Sequence, residues 1–478
     1  MCSARQTASP RQGLRSHQEG DDGLPPERRL PALWSILLST LLVVLDGSMM
    51  STALPHLGQA LGVAASSSVW ISNGYQLIAA SLILSCAALA DRIGPSRLYL
   101  AGLALFVVAS LGCALAQGFS TLLVWRCIQG VGAAAVMSLG PSLNRRIFPS
   151  RLLGSGIGMV AMIVAAALAI GPAFTGIVLA IADWRWLFLV NIPVGGAALV
   201  MAWRFLPREA PAQHGFDGIG ALLSIVMLST SVVGLGMVGH ASTFALAWGW
   251  LAVAVIAAGA FVIRQRCSSR PLLPLSMFAE KRFSMAALAS LFSFIAQTMA
   301  LFALPFLLQN GYGYSPLASG LLFTPWPLLI MVVAPLTGRL ADRVSAPKLT
   351  VIGSIIFALA VLSLALMALF NCASIAVILL CTALCGLGFA VFQSPNNREL
   401  MGSVPRHLSS RASGVQATVR TFAQAIGAAL VALTLSGANA VQHSGALINN
   451  AFWIALVFAL IAVLCGCIRL VALRQIRL

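Results

Sequence analysis

The chain has 478 residues, of which 59% are hydrophobic and 9% charged, with 29 Lys+Arg against 12 Asp+Glu and a formal net charge of +17. Soluble globular chains carry about 25% charged residues, so composition excludes a soluble enzyme, a disordered chain, a collagen and a disulfide framework. The apolar residues fall in runs of about 20, the length a helix needs to cross a hydrocarbon core of about 30 Å. The chain therefore reads as an all-α polytopic membrane protein.

Fourteen transmembrane helices are predicted, at residues 32–54, 70–90, 97–117, 120–143, 153–180, 184–206, 218–239, 243–264, 283–309, 316–339, 348–370, 373–397, 411–436 and 450–472. Residues 1–30 are polar and Arg-rich without an apolar core. They do not match a cleavable signal peptide, and a disordered tail is expected. Of the 29 basic residues, 26 lie in this tail, in the even-numbered connections or at the C-terminus. The odd-numbered connections hold only Arg185, beside Asp183, while Arg126 and Arg420 fall inside spans. The positive-inside rule makes the arginine-rich face cytoplasmic, with both termini on it. Topology thus accounts for the net charge, and no nucleic-acid partner is needed.

A repeat organises the spans. Leu89-Ala90-Asp91-Arg92-Ile93-Gly94-Pro95-Ser96-Arg97 follows span 2, and Leu340-Ala341-Asp342-Arg343-Val344-Ser345-Ala346-Pro347-Lys348 follows span 10, an offset of 251 residues. The same motif in the same topological place predicts two related bundles. The expected organisation is a tail at 1–30, a six-helix bundle at 31–207, two inserted helices at 208–270, a second six-helix bundle at 271–472 and a cytoplasmic C-terminus at 473–478. Transporters are commonly built from such repeats, with the substrate site between the halves.

These motifs resemble the major facilitator superfamily, and in particular its 14-spanner drug:proton antiporters of the EmrB/QacA type. The resemblance covers nearly the whole chain after the tail. It is carried by Leu45-Asp46-Gly47-Ser48 through Ala53-Leu54-Pro55, by Trp70 and Tyr75, by the loop repeat, and by Arg126-Cys127-Ile128-Gln129-Gly130-Val131-Gly132. Further matches are Ala167 through Gly171-Pro172 to Gly176, Asp183-Trp184-Arg185-Trp186 through Asn191-Ile192-Pro193, Gly311-Tyr312-Gly313-Tyr314-Ser315-Pro316, and Gln393-Ser394-Pro395-Asn396-Asn397. The chain departs from the pattern at Ala87 and Ser345 in the loops, where the first loop's basic pair is also reduced to Pro95-Ser96-Arg97, and at Ala167 and Thr175 at glycine positions of the span-5 motif. The resemblance implies a major-facilitator fold of two six-helix bundles with two extra helices, in a bacterial inner membrane. It also implies proton-driven export of small amphiphilic or cationic compounds such as drugs, dyes and metabolites. Some relatives of this kind work with a periplasmic adaptor and an outer-membrane channel, which nothing in the sequence demands.

Asp46 is the single acidic residue inside a predicted span. A charge at the bilayer centre costs about 2.5–3.5 kcal/mol on insertion scales, so it needs a partner or a role. Asp46 lies about 21 Å from the cytoplasmic end of span 1, at 1.5 Å per residue. Arg126 lies about 9 Å from the outer end of span 4, which in a core of about 30 Å is the same depth. Burial favours the protonated acid and a nearby guanidinium the ionised one, so moving Arg126 would switch Asp46 between holding and releasing a proton. A static ion pair pinning spans 1 and 4 is the alternative. One acid in the membrane also suits monovalent cations or neutral amphiphiles better than divalent cations.

Other assignments follow from the resemblance. Asp91, Arg92, Gly94 and Arg97, and Asp342 and Arg343, form two conformational-switch loops. Asp91 is implied to sit over the start of span 13 near Arg411, and Asp342 over the start of span 5 near Arg151. Plain turn-capping is the alternative for both. Gly171, Pro172 and Gly176 form the antiporter motif. Pro kinks a helix, and small residues let helices approach. The polar in-span residues Gln76, Gln129, Gln393, Asn397 and Gln424, with Tyr75 and Arg420, are candidates for the substrate cavity. Arg420 snorkelling to the surface and interhelical hydrogen bonds are the competing readings.

No Walker A string, zinc-type spacing or metal-holding cluster is present, and no cofactor is expected. The spans carry no clustered carboxylates for a membrane-embedded transferase. Proton-coupled uptake and dedicated export of one metabolite or natural product remain the alternatives.

Overall fold

The computed structural model describes residues 23–149, 153–207, 217–238, 244–268, 271–273, 275–341, 344–404, 409–436 and 444–475. Among them, 14 helices are long and apolar enough to cross a membrane. Span 1 is Pro26–Ala60, span 2 Ala65–Ala90, span 3 Pro95–Ala114, span 4 Phe119–Ile147, span 5 Met162–Ile181, span 6 Trp186–Phe205 and span 7 Gly218–Met237. Span 8 is Ala245–Cys267, span 9 Lys281–Gly311, span 10 Pro316–Gly338, span 11 Ala346–Leu369, span 12 Ile375–Gly402, span 13 Gly414–Leu435 and span 14 Ile448–Val471.

Several boundaries differ from the sequence expectation by up to about two helical turns, the ends of spans 1 and 12 among them. Span 1 starts at Pro26 rather than residue 32, with Pro in its first turn, where the missing N–H costs nothing. Arg29 is buried there and donates from Nε to Leu24 O at 2.7 Å. Span 12 runs on to Gly402, so Glu399 joins Asp46 as an acid on a spanning helix, one near the arginine-rich end. Hydropathy ends a span at its first charges, whereas the backbone ladder continues until the helix is capped. The described cysteines are free thiols.

Lipid is as apolar as leucine, so helices here associate through close packing at small residues. The two bundles use the same crossing. In the first, a Cβ on Gly132 of span 4 would stand 3.0 Å from Phe106 Cα of span 3. In the second, a Cβ on Gly388 of span 12 would stand 2.7 Å from Phe357 Cα of span 11. Gly102 and Phe106 repeat as Gly353 and Phe357 at the 251-residue offset of the loop motif. The repeat is thus a packing unit as well as a loop string.

The bundles meet at the charge-poor face. Gln309 Nε2 of span 9 donates to Thr52 O of span 1 at 3.1 Å, and Gln59 Nε2 to Asn310 Oδ1 at 3.4 Å. Span 9 reaches this contact through a π-helical turn, Leu307–Gly311.

Spans 7 and 8 cover the seam between spans 2 and 13. Val232 of span 7 packs with Leu77 of span 2 and with Ala425 and Ala429 of span 13. The hydroxyls of Ser81 and Ser229 lie 3.3 Å apart. Span 8 rests on span 7 and turns its other side outward, with Val255 72% and Ile256 71% exposed, the face expected to meet acyl chains. Polar groups tie down the hairpin's arginine-rich end: Asp217 Oδ1 accepts from Gly220 N and Arg264 Nε, both at 3.0 Å.

Candidate functional site

Four helices of the first bundle converge on Asp46. Spans 1 and 3 rise toward the charge-poor face while spans 4 and 6 descend from it. Asp46, Ser110, Arg126, Gln129 and Asn191 therefore share one depth, and the first three and Gln129 are fully buried, with Asn191 nearly so. Arg126 Nη1 donates to Asp46 Oδ2 at 2.6 Å and to Gln129 Oε1 at 2.6 Å, and Arg126 Nε donates to Ile71 O at 3.1 Å. Asp46 Oδ1 accepts from Asn191 Nδ2 at 3.2 Å and Gln129 Nε2 at 3.3 Å. Arg126 Cζ lies 4.4 Å from the centroid of the Tyr75 ring and 5.8 Å from that of Phe188, so the cation lies over two aromatic faces.

A buried ion pair is tolerated only when its remaining valences are bonded. Here both carboxylate oxygens are satisfied, while Arg126 Nη2 has no partner among the described residues. That nitrogen is where the cluster can still bind water or a substrate group.

The sequence residues divide around this cluster. Asp46, Arg126, Gln129 and Tyr75 come together. Gln76 stands apart, donating from Nε2 to Ser72 Oγ at 3.2 Å. Gln393, Asn397, Arg420 and Gln424 are half-buried in the second bundle and have no hydrogen bond or ion pair among the described residues. Ser110 and Asn191 are members that sequence reasoning missed as site residues. Asn191 was legible only as part of the span-6 motif. The signal was depth: by the predicted ends, Asn191 lies seven residues from the outer end of span 6 (184–206) and Ser110 seven from that of span 3 (97–117), level with Arg126 at six in span 4 (120–143).

In the span-5 motif, Gly171 backs onto Ser48 of span 1, where an added Cβ would come 2.7 Å from Ser48 Cβ. Pro172 lies against Gly320 of span 10, and Gly176 against Leu317. Thr175, one of the departures, donates from Oγ1 to Gly171 O at 2.9 Å and to Met49 O of span 1 at 3.3 Å. Its hydroxyl therefore adds a bond where the family pattern has a small gap.

In the first loop, Gly94 has φ +99°, a conformation L side chains rarely adopt, and Arg92 and Arg97 are exposed. In the second copy Ser345 has φ −57°. The second turn does not need the left-handed backbone, which explains why Ser replaces Gly there. Asp342, Arg343, Arg151 and the side chains of Asp91 and Arg411 lie outside the described residues.

The Major Facilitator Superfamily profile matches residues 36–428 and 286–475. The uncharacterized transporter YebQ of Escherichia coli (strain K12) is 40% identical over 417 residues, covering 87% of this chain and 91% of that protein. The tetracenomycin C resistance and export protein of Streptomyces glaucescens is 29% identical over 424 residues, covering 86% and 76%. A POT family transporter solved in complex with 5-aminolevulinic acid superposes with a TM-score of 0.69 at 16% identity, covering 92% of this chain and 96% of its own. At that identity the likeness speaks for the fold alone. With profile, relatives and fold in agreement, the chain belongs to the major facilitator superfamily and is a transporter, not an enzyme.

Proposed function

We propose that the protein exports small amphiphilic compounds across a bacterial inner membrane in exchange for protons, with both termini cytoplasmic. The observation that carries this reading is a fully buried carboxylate, Asp46, paired with one guanidinium 2.6 Å away. When Arg126 keeps its place the carboxylate is stabilised as the ion; when it moves, burial favours the acid. Substrate reaching Arg126 Nη2 or the Tyr75 face from the cytoplasmic side, or the rocking of the bundles, changes that place. Proton release inward and substrate release outward then alternate.

The remaining assignments belong to the same reading. Arg420, Gln393, Asn397 and Gln424 line the cavity from the second bundle, with Gln76 from the first. Asp91 and Asp342, with Arg92, Gly94, Arg97 and Arg343, act as latches at the cytoplasmic face. Gly171, Pro172 and Gly176 are the surface on which span 10 closes.

The test uses everted vesicles with an imposed proton gradient, challenged with lipophilic cations and neutral drugs. Substrate-induced collapse of the gradient is expected in the wild type and not in Asp46→Asn. Equal collapse in both would remove Asp46 from the coupling role.

A further inference from the structure

We propose that Ser110 and Asn191 are positioning residues that hold Asp46 in its proton-accepting, ionised form, and that proton uptake proceeds by turning over the Asn191 amide. This rests on the reading of Asp46 as the proton carrier.

The argument is one of donors and acceptors. An ionised carboxylate only accepts hydrogen bonds, whereas a protonated one must also donate. A primary amide offers NH2 on one side and a carbonyl on the other. The side that faces Asp46 therefore decides which protonation state the site fits. Two amides face Asp46 Oδ1, and both present N–H.

Ser110 sets that orientation. Its hydroxyl hydrogen goes to Phe106 O at 2.8 Å. The oxygen is left as an acceptor for Gln129 Nε2 at 2.9 Å and Asn191 Nδ2 at 3.5 Å. Each amide spends one N–H on Asp46 and the other on Ser110, so neither carbonyl can face the carboxylate. Gln129 is locked a second time, because its Oε1 accepts from Arg126 and a guanidinium has no acceptor to offer in exchange. Among the described residues Asn191 is held through its nitrogen alone. It is the amide free to turn.

The step balances simply. A hydronium ion gives its proton to Asp46 Oδ1 and leaves as water. Asn191 rotates about Cβ–Cγ, breaking its bonds to Asp46 and Ser110, and its Oδ1 accepts the new O–H. Asn191 is the first residue of the helix Asn191–Phe205, directly after the short helix Trp186–Leu189. The turnover is thereby felt at the joint of span 6. Among the described residues, the other charged or titratable groups facing Asp46 are Arg126 of span 4, Tyr75 of span 2 and Cys113 of span 3. All are retained in the variants below.

The experiment measures the pH dependence of substrate-induced proton release by the purified full-length protein in proteoliposomes, using ethidium as the probe. The variants are Ser110→Ala, Ser110→Thr, Asn191→Leu and Asp46→Asn. Ser110→Ala frees the Asn191 amide to turn while Arg126 still holds Gln129, and Asn191→Leu removes one donor to the ion. Each is expected to move the midpoint up by about one pH unit, the size of one lost hydrogen bond to a charge. Ser110→Thr keeps the hydroxyl and should titrate like the wild type, which separates positioning from packing. Wild-type midpoints in both Ser110→Ala and Asn191→Leu, with proton release abolished in Asp46→Asn, would overturn this inference and leave the efflux reading standing. Unchanged release in Asp46→Asn would instead overturn the reading beneath it. Should Asn191→Leu not fold, Ser110→Ala against Ser110→Thr carries the test alone.

Discussion

Leu317 of span 10 places its Cα 2.7 Å from where a Cβ on Gly176 of span 5 would stand. The contact joins the two bundles at the charge-poor face, so any side chain at 176 props that face apart. Overpacking costs about 1–3 kcal/mol, which shifts a two-state equilibrium by about five-fold to a hundred-fold. Gly176→Val is expected to fold and to lose about that much export. Asn310→Cys in its background should react faster with a membrane-impermeant maleimide than in the wild-type background. Equal labelling rates would mean that span 10 closes elsewhere.

The Asp46–Arg126 pair predicts a non-additive pattern in stability. Removing one partner of a buried pair costs about 3–5 kcal/mol, while replacing both by apolar residues is often neutral. Arg126→Leu and Asp46→Leu should each lower the unfolding temperature in detergent. The double variant should regain most of that loss without regaining export. Additive losses would show that the two side chains do not depend on one another.

Tyr75 is expected to act through its ring rather than its hydroxyl. Its face lies 4.4 Å from the Arg126 guanidinium, and a desolvated cation–π contact is worth about 2 kcal/mol. Tyr75→Phe should keep near wild-type export, and Tyr75→Leu should lose roughly ten-fold or more. Equal loss in both would assign the function to the hydroxyl.

Asp217 caps span 7 and bonds Arg264 of span 8. Loss of such a cap typically costs about 1 kcal/mol. Asp217→Ala should speed hydrogen exchange over residues 218–224 while export persists. A fall in export that tracks the faster exchange would show that the inserted hairpin participates in the transport cycle instead of covering the seam.

Arg420 makes no ion pair among the described residues, although it lies well inside span 13. Arg420→Gln is expected to raise the Michaelis constant for export by about ten-fold, the worth of a charge-assisted hydrogen bond, while Arg420→Lys recovers part of it. Unchanged constants in both would assign Arg420 to the membrane surface.

Much of the architecture was legible in the chain because a bilayer constrains it severely. Apolar run length fixes the number of spans, arginine bias separates the faces, and the 251-residue repeat divides the chain into two bundles. Depth could also be read, since a helix rises a constant 1.5 Å per residue. That is why Asp46 and Arg126 were level on paper before the structure bonded them. Direction around each helix was not legible. The spans are apolar on all sides, so hydrophobicity gives no period from which to tell a lipid face from a bundle face. Tertiary packing alone decided that Ser110 and Asn191 point at Asp46 while Gln76 turns to Ser72. It also decided that spans 7 and 8 lie across the seam of spans 2 and 13, because which neighbour a helix meets depends on where two small residues let two backbones touch.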